Sequence, residues 1–415
     1  MDILVMTPYY TPDLGPSAPL FQMLSVELAK LGHRVTVIAA VPHYPTGVVQ
    51  SGFRTKKITK SLEDGVTVIR IPVPSMDRSN LVKRYLQFLL FQLGASKAIA
   101  RQKFDVMVVS NPALWIWLPF TVASVFRRKP AIFSIHDLYP NVGISLGIFR
   151  HKPVIKAVAA LEKYVLNRSD VVRILSESFR PVMNQMGVRD DKMVLIYDWV
   201  DTSLIQPNPH KNGFARENQL DGKFVVMYAG NVGLSQGLEH VLTAAKILKD
   251  QPDIQIAIIG EGAARKDLIQ QAEAEGLKNV TFIPFQPRER LSEVLGTADI
   301  SLVTLRTGVG ATALPSKTYS IFASGKPILA SVDDGCETAD LIQQSQAGIC
   351  IQPEMPEELV KNILYLKNNP ELCVTMGRNG RKWAEEHHSP RSAAQRIADL
   401  SAGVLETRLQ KRGET

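Results

Sequence analysis

The chain alternates short, β-branched apolar runs with longer stretches of helical periodicity, and this alternation constrains its fold more than any other feature. The first series of apolar runs is Ile3–Met6, Val35–Ala40, Val66–Ile71, Val106–Ser110, Ile132–Ile135, Val171–Leu175 and Val194–Ile196. The second series is Phe224–Tyr228, Ile254–Ile259, Val280–Ile283, Ile300–Leu305, Pro327–Ala330 and Gly348–Ile351. Strands that alternate with helices form parallel sheets covered by helices on both faces. The sequence therefore predicts an α/β chain with two doubly wound, Rossmann-like domains.

The two series meet in an irregular polar stretch, Asp198–Gly222, where Pro207, Asn208 and Pro209 cluster. A chain of 415 residues is also too long for one ordinary core. We place one domain at residues 1–198 and the other at residues 199–385. Doubly wound sheets bind ligands beyond the carboxyl ends of their strands, so we expect the site in a cleft between two facing domains.

The composition indicates a soluble protein of a reducing compartment. Hydrophobic residues make up 45% of the chain and charged residues 21%. Met1 and Asp2 run directly into a strand-like segment, so no signal peptide is visible. The three cysteines form no CxxC motif and no Cys/His cluster. We therefore expect a cytoplasmic location.

The positive charge is concentrated in the first half of the chain. Residues 1–205 contain 25 Lys and Arg against 15 Asp and Glu, whereas the remainder contains 23 against 25. A basic first half suggests an anionic partner, either nucleic acid or an anionic membrane surface. A basic surface that is merely solvated explains the charge equally well. No known nucleic-acid-binding motif is present, so we expect no nucleic-acid partner.

Two segments of the first half are unusually apolar. Tyr85–Leu93 is apolar nearly all round, and Val106–Phe126 contains no charged residue and ends at Arg127–Lys129. The second segment is long enough to cross a bilayer, but Pro112 and Pro119 break it, so we reject a true span. Tryptophans beside a basic cluster suit interfacial docking. We favour a monotopic membrane contact over pure core packing.

Phe224–Leu238 reads as a strand, a glycine-rich turn and a helix start. The turn contains Gly230, Asn231, Gly233 and Gln236. Glycines let backbone N–H groups approach an anion, and a helix dipole favours negative charge at that point. The stretch is thus either a phosphate-binding turn or a plain strand-to-helix loop, because short glycine motifs match often by chance.

Gly308–Gly325 introduces another helix, with Ser316 as the expected N-cap and Lys317 and Thr318 following it. A helix start ordinarily prefers carboxylates, so a lysine there makes more sense if an anion binds. We expect a diphosphate between this helix and the turn at Gly233. The alternative is an ordinary solvated lysine.

Other strand ends carry further candidates. The first strand leads to Gly15-Pro16-Ser17 ahead of a helix and lacks the GxGxxG motif of dinucleotide-binding domains. Its glycine could bring backbone donors to the site, or the segment could be a long surface loop. His136 and Asp137 follow the strand Ala131–Ile135, where a histidine beside a carboxylate favours a functional role. Glu261 and the irregular tip at Phe285 follow two strands of the second series.

Together these motifs resemble the family 4 glycosyltransferases of the GT-B fold, over nearly the whole chain. The residues that carry the resemblance are Gly15–Ser17, Leu31–Ile38, His136–Pro140, Tyr228–Leu238, Ile258–Gly262 and Leu314–Ser331. The pattern is most similar to the WbuB-like enzymes of bacterial surface-polysaccharide assembly, as in O-antigen or capsule.

The resemblance implies a retaining, metal-independent transfer of a sugar from a nucleotide sugar, expected to be UDP-linked, without a cofactor. The sugar would be N-acetylated, of the N-acetyl-fucosamine type. The acceptor would be a polyprenyl-diphosphate-linked saccharide, met on the inner face of the plasma membrane. A non-hydrolysing sugar-nucleotide 2-epimerase of the same fold is the alternative. The final helices, about 386–410, would return to complete the first domain.

The resemblance also suggests roles for the candidate residues. His136 and Lys317 would be catalytic, with Asp137 fixing the tautomer of His136, and Asp137 and Tyr139 would meet the acceptor. The donor would contact residues of both domains: Gly15, Ser17, Gly230, Asn231, Gly233, Gln236, Glu261, Phe285, Ser316, Lys317 and Thr318.

This chain departs from the family pattern at the donor diphosphate. Asn231 and Gln236 stand where many relatives carry an Arg and a Lys. Thr312 and Ser320 stand where many relatives carry paired glutamates. Lys317 is therefore our candidate for neutralising the diphosphate.

Overall fold

The computed structural model of the protein describes residues 1–15, 17–76, 81–145, 149, 151–310 and 316–413. The strands of the first sheet are β1 (Asp2–Met6), β2 (Arg34–Ala40), β3 (Thr59–Glu63), β4 (Val66–Ile71), β5 (Val106–Ser110), β6 (Ala131–Ser134), β7 (Val171–Ile174) and β8 (Met193–Leu195). Those of the second sheet are β9 (Phe224–Ala229), β10 (Ile254–Ile259), β11 (Val280–Ile283), β12 (Ile300–Thr304), β13 (Ile328–Ser331) and β14 (Gly348–Ile351).

The helices alternate with these strands, as the sequence predicts. In the first series they are α1 (Ala18–Lys30), α2 (Leu81–Arg101), α3 (Trp117–Thr121), α4 (Asn141–Ser145), α5 (Lys152–Arg168) and α6 (Arg180–Gln185). In the second series they are α7 (Gly213–Glu217), α8 (Leu238–Ile247), α9 (Arg265–Ala274), α10 (Leu291–Gly296), α11 (Lys317–Ser324), α12 (Glu337–Ser345), α13 (Pro356–Lys367) and α14 (Pro370–His387), and α15 (Pro390–Arg412) follows. Proline in the first turn of α13 and α14 fits the geometry of a helix start.

The chain divides into two compact units. Unit 1 comprises Met1–Asp198 together with the segment from Pro390 onward, and unit 2 comprises Trp199–Ser389. The predicted first boundary, between residues 198 and 199, coincides with this division. The return expected at about residue 386 falls within the last turn of α14, and unit 1 resumes with α15, which packs against α1.

Unit 1 is built on an eight-stranded sheet in the order β3-β4-β2-β1-β5-β6-β7-β8. Its strands are parallel except β3, which pairs antiparallel with β4. Apolar residues of the sheet and of α2, α3 and α5 form one buried core. The carboxyl ends of β5 and β6 lie side by side at one edge, because these strands pair directly in register Met107–Ala131.

Unit 2 is built on a six-stranded parallel sheet in the order β11-β10-β9-β12-β13-β14. Numbered within the unit, this is the order 3-2-1-4-5-6 of Rossmann folds. The order reverses between β9 and β12, and such a reversal marks the place where ligands bind. The glycine-rich turn after β9 is therefore at the expected position for a ligand site.

The tips of β9 and β10 touch each other through glycine. Gly230 and Gly260 have φ angles of 152° and 132°. A Cβ atom on Gly260 would lie 2.0 Å from the carbonyl oxygen of Gly230, which no real contact allows. The close approach fixes the turn after β9 against its neighbour and leaves the following residues in a defined position.

The uncharged segment Val106–Phe126 consists of β5, a short 3₁₀ turn, α3 and one turn of π-helix. None of the helices in the described part of the chain is both long enough and apolar enough to cross a membrane.

Candidate functional site

The candidate site of unit 2 is organised by the buried side chain of Tyr228, the penultimate residue of β9. Its hydroxyl donates a hydrogen bond to the backbone carbonyl of Asn231, at 2.7 Å. The tyrosine thereby holds the first residues of the glycine-rich turn against the end of its own strand. Sequence reasoning treated Tyr228 only as part of the strand.

Lys317, the first residue of α11, reaches across to this tyrosine. Its Nζ donates to the Tyr228 hydroxyl at 2.6 Å and to Oε1 of Gln236 at 3.0 Å. The same nitrogen lies 3.8 Å from the centre of the Tyr228 ring. The turn after β9 and the start of α11 therefore meet at one amine, although 89 residues separate Tyr228 from Lys317.

Glycine at position 230 favours this close contact. A Cβ atom there would lie 3.3 Å from both Cε and Nζ of Lys317, so the end of the lysine side chain would have to shift slightly. Burial lowers the pKa of Lys317 to about 7. The side chain forms no ion pair with any carboxylate among the described residues. In the described part of the chain, this partly buried amine thus has no carboxylate as a counter-charge.

A cavity of about 340 Å³ opens beside this amine within unit 2. It is lined by five of the predicted donor-binding residues: Gly230, Asn231, Glu261, Phe285 and Lys317. The Phe285 ring is 74% exposed, so it offers a free aromatic face at the end of β11. The cavity combines an aromatic face, a carboxylate and an amine, which together suit a nucleotide.

Asn231 and Gly233 shape the remainder of the turn. A Cβ atom on Gly233 would lie 2.8 Å from Nδ2 of Asn231, so glycine leaves room for the exposed asparagine. In the described part of the chain, the backbone N–H groups of these two residues donate to no protein acceptor. They are available to a ligand, in the manner of anion-binding turns.

The start of α11 differs from the prediction in one respect. Ser316 occupies the N-cap position of α11, as predicted, but its backbone is helical and its side chain makes no capping hydrogen bond. Ser316 is exposed, and Thr318 is fully buried outside the lining of the cavity. Ser320 lines the cavity, whereas Thr312 and residues 314–315 of the motif lie outside the described residues.

In unit 1 the candidate residue His136 follows β6. Its Nδ1 lies 3.5 Å from Oδ2 of Asp198, so the expectation that Asp137 fixes the tautomer is wrong. Asp198 accepts a 2.8 Å hydrogen bond from the fully buried Arg173. Burial raises the pKa of Asp198, but the charges of His136 and Arg173 outweigh it and hold this pKa well below its usual range. The aspartate is therefore ionised beside His136.

The other ring nitrogen of His136, Nε2, is buried and has no hydrogen-bond partner among the described residues. The backbone at this strand end is fixed by Asn111, whose Oδ1 accepts from the His136 N–H at 2.9 Å and whose Nδ2 donates to the carbonyl of Asp137 at 2.5 Å. Asp137 itself is exposed. His136 therefore keeps one buried ring nitrogen that no described residue hydrogen-bonds.

Sequence reasoning missed Asn111, Arg173 and Asp198. A charged residue in a buried strand, as Arg173 is in β7, was the available signal, since such a charge needs a partner.

The loop at Gly15 is held in a different way from the one expected. Its N–H donates to Oδ1 of the buried Asp13 at 2.9 Å, and Asp13 also accepts from the N–H of His43 at 2.8 Å. The Gly15 N–H is thus already bonded, which corrects its expected role as a backbone donor to phosphate. Glycine is needed because a Cβ would lie 2.4 Å from the Tyr9 ring. Ser17 is partly buried, and residue 16 lies outside the described part of the chain.

The comparisons with known proteins agree with this architecture. Residues 17–199 match the model of the Glycosyl transferase 4-like domain, and residues 211–383 match that of Glycosyl transferases group 1. The chain therefore belongs to the glycosyltransferases with these two domains, and it has the GT-B fold. It is an enzyme of the glycosyltransferase class.

Among individual proteins, the chain is 28% identical to the colanic acid biosynthesis glycosyl transferase WcaI of Escherichia coli (strain K12), over 88% of this chain and 91% of that protein. It is 25% identical to the glycosyltransferase WbjE of Pseudomonas aeruginosa, over 70% of this chain and 73% of the other. The Anabaena protein Alr3699/HepE, solved in complex with UDP, superimposes with a TM-score of 0.71 at 16% identity, covering 97% of this chain and all (100%) of that one.

The buried amine of Lys317 should destabilise the ligand-free protein. Its pKa is about 7 in the folded protein against 10.5 ordinarily, so between these values the unfolded chain binds the proton and the folded protein does not. Wild-type stability should therefore rise with pH across this range. Lys317→Met, which removes the charge, should raise stability at pH 7 by on the order of 1 kcal/mol.

Thermal melting of the wild type and of Lys317→Met from pH 6 to pH 10 measures this difference in stability. The difference between their melting temperatures should become smaller towards pH 10. Lys278→Met is the matched control, since Lys278 is exposed. If Lys317→Met is less stable than the wild type at pH 7, the prediction that this amine destabilises the ligand-free protein is wrong.

Proposed function

We propose that the protein transfers a sugar, with retention of configuration, from a UDP-sugar to a lipid-linked saccharide during polysaccharide biosynthesis. The observation that carries this proposal is the Lys317 amine, which lines a nucleotide-sized cavity and pairs with no carboxylate of the described residues. A buried base of this kind is stabilised when an anion binds beside it. The diphosphate of a nucleotide sugar is such an anion.

The cavity of unit 2 is proposed to hold the nucleotide. The exposed ring of Phe285 would stack on the base, and the carboxylate of Glu261 would accept from ribose hydroxyls. The unbonded N–H groups at Asn231 and Gly233 would meet the diphosphate. The Anabaena relative of the same fold, solved with UDP, supports a uridine nucleotide as the donor.

Lys317 is proposed to carry the charge that family members place elsewhere. As the bond between the sugar C1 and the diphosphate oxygen breaks, negative charge develops on the β-phosphate and the sugar gains oxocarbenium character. A protonated amine fixed by Tyr228 and Gln236 stabilises this charge without reorganising during the reaction. The transferred sugar would be N-acetylated, of the N-acetyl-fucosamine type.

The amine takes the place of a metal in this proposal. Among the described residues no three His, Cys, Asp or Glu side chains are arranged to hold a metal ion. As the family resemblance implies, we propose that transfer is metal-independent and needs no cofactor.

The acceptor is proposed to bind unit 1 and to be anchored in the inner leaflet of the plasma membrane. The helix α2 exposes an apolar row, Tyr85, Leu86, Leu90 and Leu93, with exposed fractions of 37–52%. The basic excess of residues 1–205 suits anionic lipid headgroups. The relatives WcaI and WbjE, the first described in colanic acid biosynthesis, support a surface-polysaccharide role.

His136 is proposed to orient the reacting sugar through Nε2. Asp198 lies beside Nδ1, and Nε2 is the ring nitrogen without a partner among the described residues, so Nε2 is the atom proposed to contact the sugar. Asp137 and Tyr139, at the same strand end, are proposed to meet the acceptor saccharide. The epimerase alternative is not favoured, because both domain models and the relatives above are glycosyltransferases.

The function is tested by incubating the protein with a panel of nucleotide sugars and a polyprenyl-diphosphate saccharide, in the presence of a chelator. We expect glycosylated lipid and free UDP from a UDP-linked N-acetylated sugar, and at least about a tenfold slower transfer by Lys317→Met. Conversion of the donor to its 2-epimer without acceptor would contradict the proposal and support the alternative.

The control for Lys317→Met is a double variant that restores the positive charge from a neighbouring position. Gln236 Oε1 lies 3.0 Å from Lys317 Nζ, so Gln236→Lys in the Lys317→Met background returns an ammonium to nearly the same point. Partial recovery of transfer would show that the position of the charge matters. Equal inactivity of a correctly folded double variant would argue against an electrostatic role.

His136→Ala should lower transfer by at least about tenfold while the melting temperature is retained, since it removes the open nitrogen at the strand end. Asp198→Asn keeps a hydrogen bond to the ring but loses the charge, so it should lower kcat less and alter the pH profile of kcat. His33→Ala, in the turn after α1, is the control histidine. Wild-type kcat in His136→Ala would assign this histidine to packing alone.

A further inference from the structure

Glu162 is a buried carboxyl group on a face of α5 that is otherwise apolar. The buried residues of this helix are Val158, Glu162, Val165 and Leu166, which recur at helical spacing. Glu162 is 2% exposed, and no charged side chain of the described residues neutralises it. An apolar side chain would pack at this position without the cost of burying a carboxyl group, so we expect the group to serve a contact of its own.

This contact is a hydrogen bond to the turn after β5. Oε1 of Glu162 accepts from the N–H of Ala113 at 2.7 Å. Ala113 is fully buried and begins the 3₁₀ turn Ala113–Trp115. The first N–H groups of a helical turn have no acceptor within it, so this buried group needs an acceptor from another element. Glu162 therefore ties the start of the turn to α5.

The residues just before this turn hold the strand end that carries His136. Asn111 lies two residues before Ala113, and its N–H donates to the carbonyl of Ser134 in β6 at 3.1 Å. Its side chain bonds the backbone of both His136 and Asp137. Hydrogen bonds at Ala113 and Asn111 thus link α5, through the turn after β5, to the end of β6.

The carboxyl group of Glu162 titrates in isolation near neutral pH. Burial raises its pKa to about 8, so it is mostly neutral at pH 7. The 3₁₀ turn and α3, which pack against α5, contain no ionisable side chain. From the end of β6, Glu162 acts on Tyr139, whose pKa is raised to about 12 by burial and by the charges of Asp137 and Glu162, although Arg84 lowers it. Tyr139 therefore stays protonated while Glu162 loses its proton.

We propose that Glu162 is a positioning residue for sugar transfer, which holds the turn after β5 and, through Asn111, the backbone of His136. The inference rests on the proposed function and adds a residue that acts through the backbone. A displacement of about 1 Å at a reacting group can slow a reaction by on the order of 100-fold. Because the N–H of Ala113 is buried, loss of its acceptor favours such a displacement.

The first test removes the acceptor. Glu162→Met has an apolar side chain of similar length, and we expect kcat for transfer to fall by about tenfold at pH 7. The Kd of UDP, which is proposed to bind unit 2, should be unchanged. Glu162→Gln keeps an oxygen in place of Oε1 and should retain kcat within about twofold. Transfer kinetics and calorimetry with UDP measure these values.

The second test asks whether Glu162 acts through Asn111. If both residues hold the same backbone, the double variant of Glu162→Met and Asn111→Ala should be no slower than the slower single variant, whereas independent effects would multiply. Val165→Ala is the control, since it shortens another buried side chain of α5. It should lower the melting temperature and leave kcat unchanged.

The third test uses the titration of Glu162. Above about pH 8 the carboxylate is a buried charge without a counter-ion, so the side chain or the turn must rearrange. The ratio of kcat for Glu162→Gln to kcat for the wild type should therefore rise from pH 7 to pH 9 by up to about tenfold, because the protonated fraction of Glu162 falls from about 0.9 to about 0.1. Taking the ratio removes the titration of Lys317, which both proteins contain.

The inference is overturned if Glu162→Met keeps the wild-type kcat, if its effect multiplies with that of Asn111→Ala, or if Glu162→Gln has the pH profile of the wild type. If Glu162→Met does not fold, the comparison of pH profiles decides. Transfer by the wild type shows in each case that the proposed function itself stands. Absence of transfer by the wild type would refute that function, and this inference with it.

Discussion

The contact of the Lys317 amine with Tyr228 and Gln236 is the interaction on which the candidate site of unit 2 depends. The amine is buried against an aromatic ring and two oxygens, and no carboxylate among the described residues neutralises it. Burial of a base without a counter-charge lowers the stability of the free protein, and binding of an anion reverses that cost. This asymmetry between the free and the bound states is what a leaving-group site requires.

The strand-and-helix pattern could be predicted from the sequence, because apolar periodicity and glycine turns are local signals. The turn after β9 and the start of α11 at Lys317 were predicted in this way. We expected the two segments to share a bound diphosphate. Their direct contact was not expected, since nothing in a linear sequence pairs Tyr228 with a lysine 89 residues away. The same limit hid Asp198, which contacts His136 from a strand end 62 residues later in the chain.

Two local predictions failed because competing hydrogen bonds are invisible in a sequence. Gly15 has the right residue type for a backbone donor, but the buried carboxylate of Asp13 already occupies its N–H. Ser316 has the right side chain for a cap, yet it adopts helical backbone angles and caps nothing.

The most direct measurement is the proton uptake that accompanies binding of a UDP-sugar, whose diphosphate does not titrate near neutral pH. With a free pKa of about 7 for Lys317, binding that fully protonates the amine at pH 8 should draw about 0.9 proton from the buffer. Calorimetry in two buffers of different ionisation enthalpy measures this number, which should vanish in Lys317→Met. Binding by the wild-type protein with no proton uptake would contradict the account.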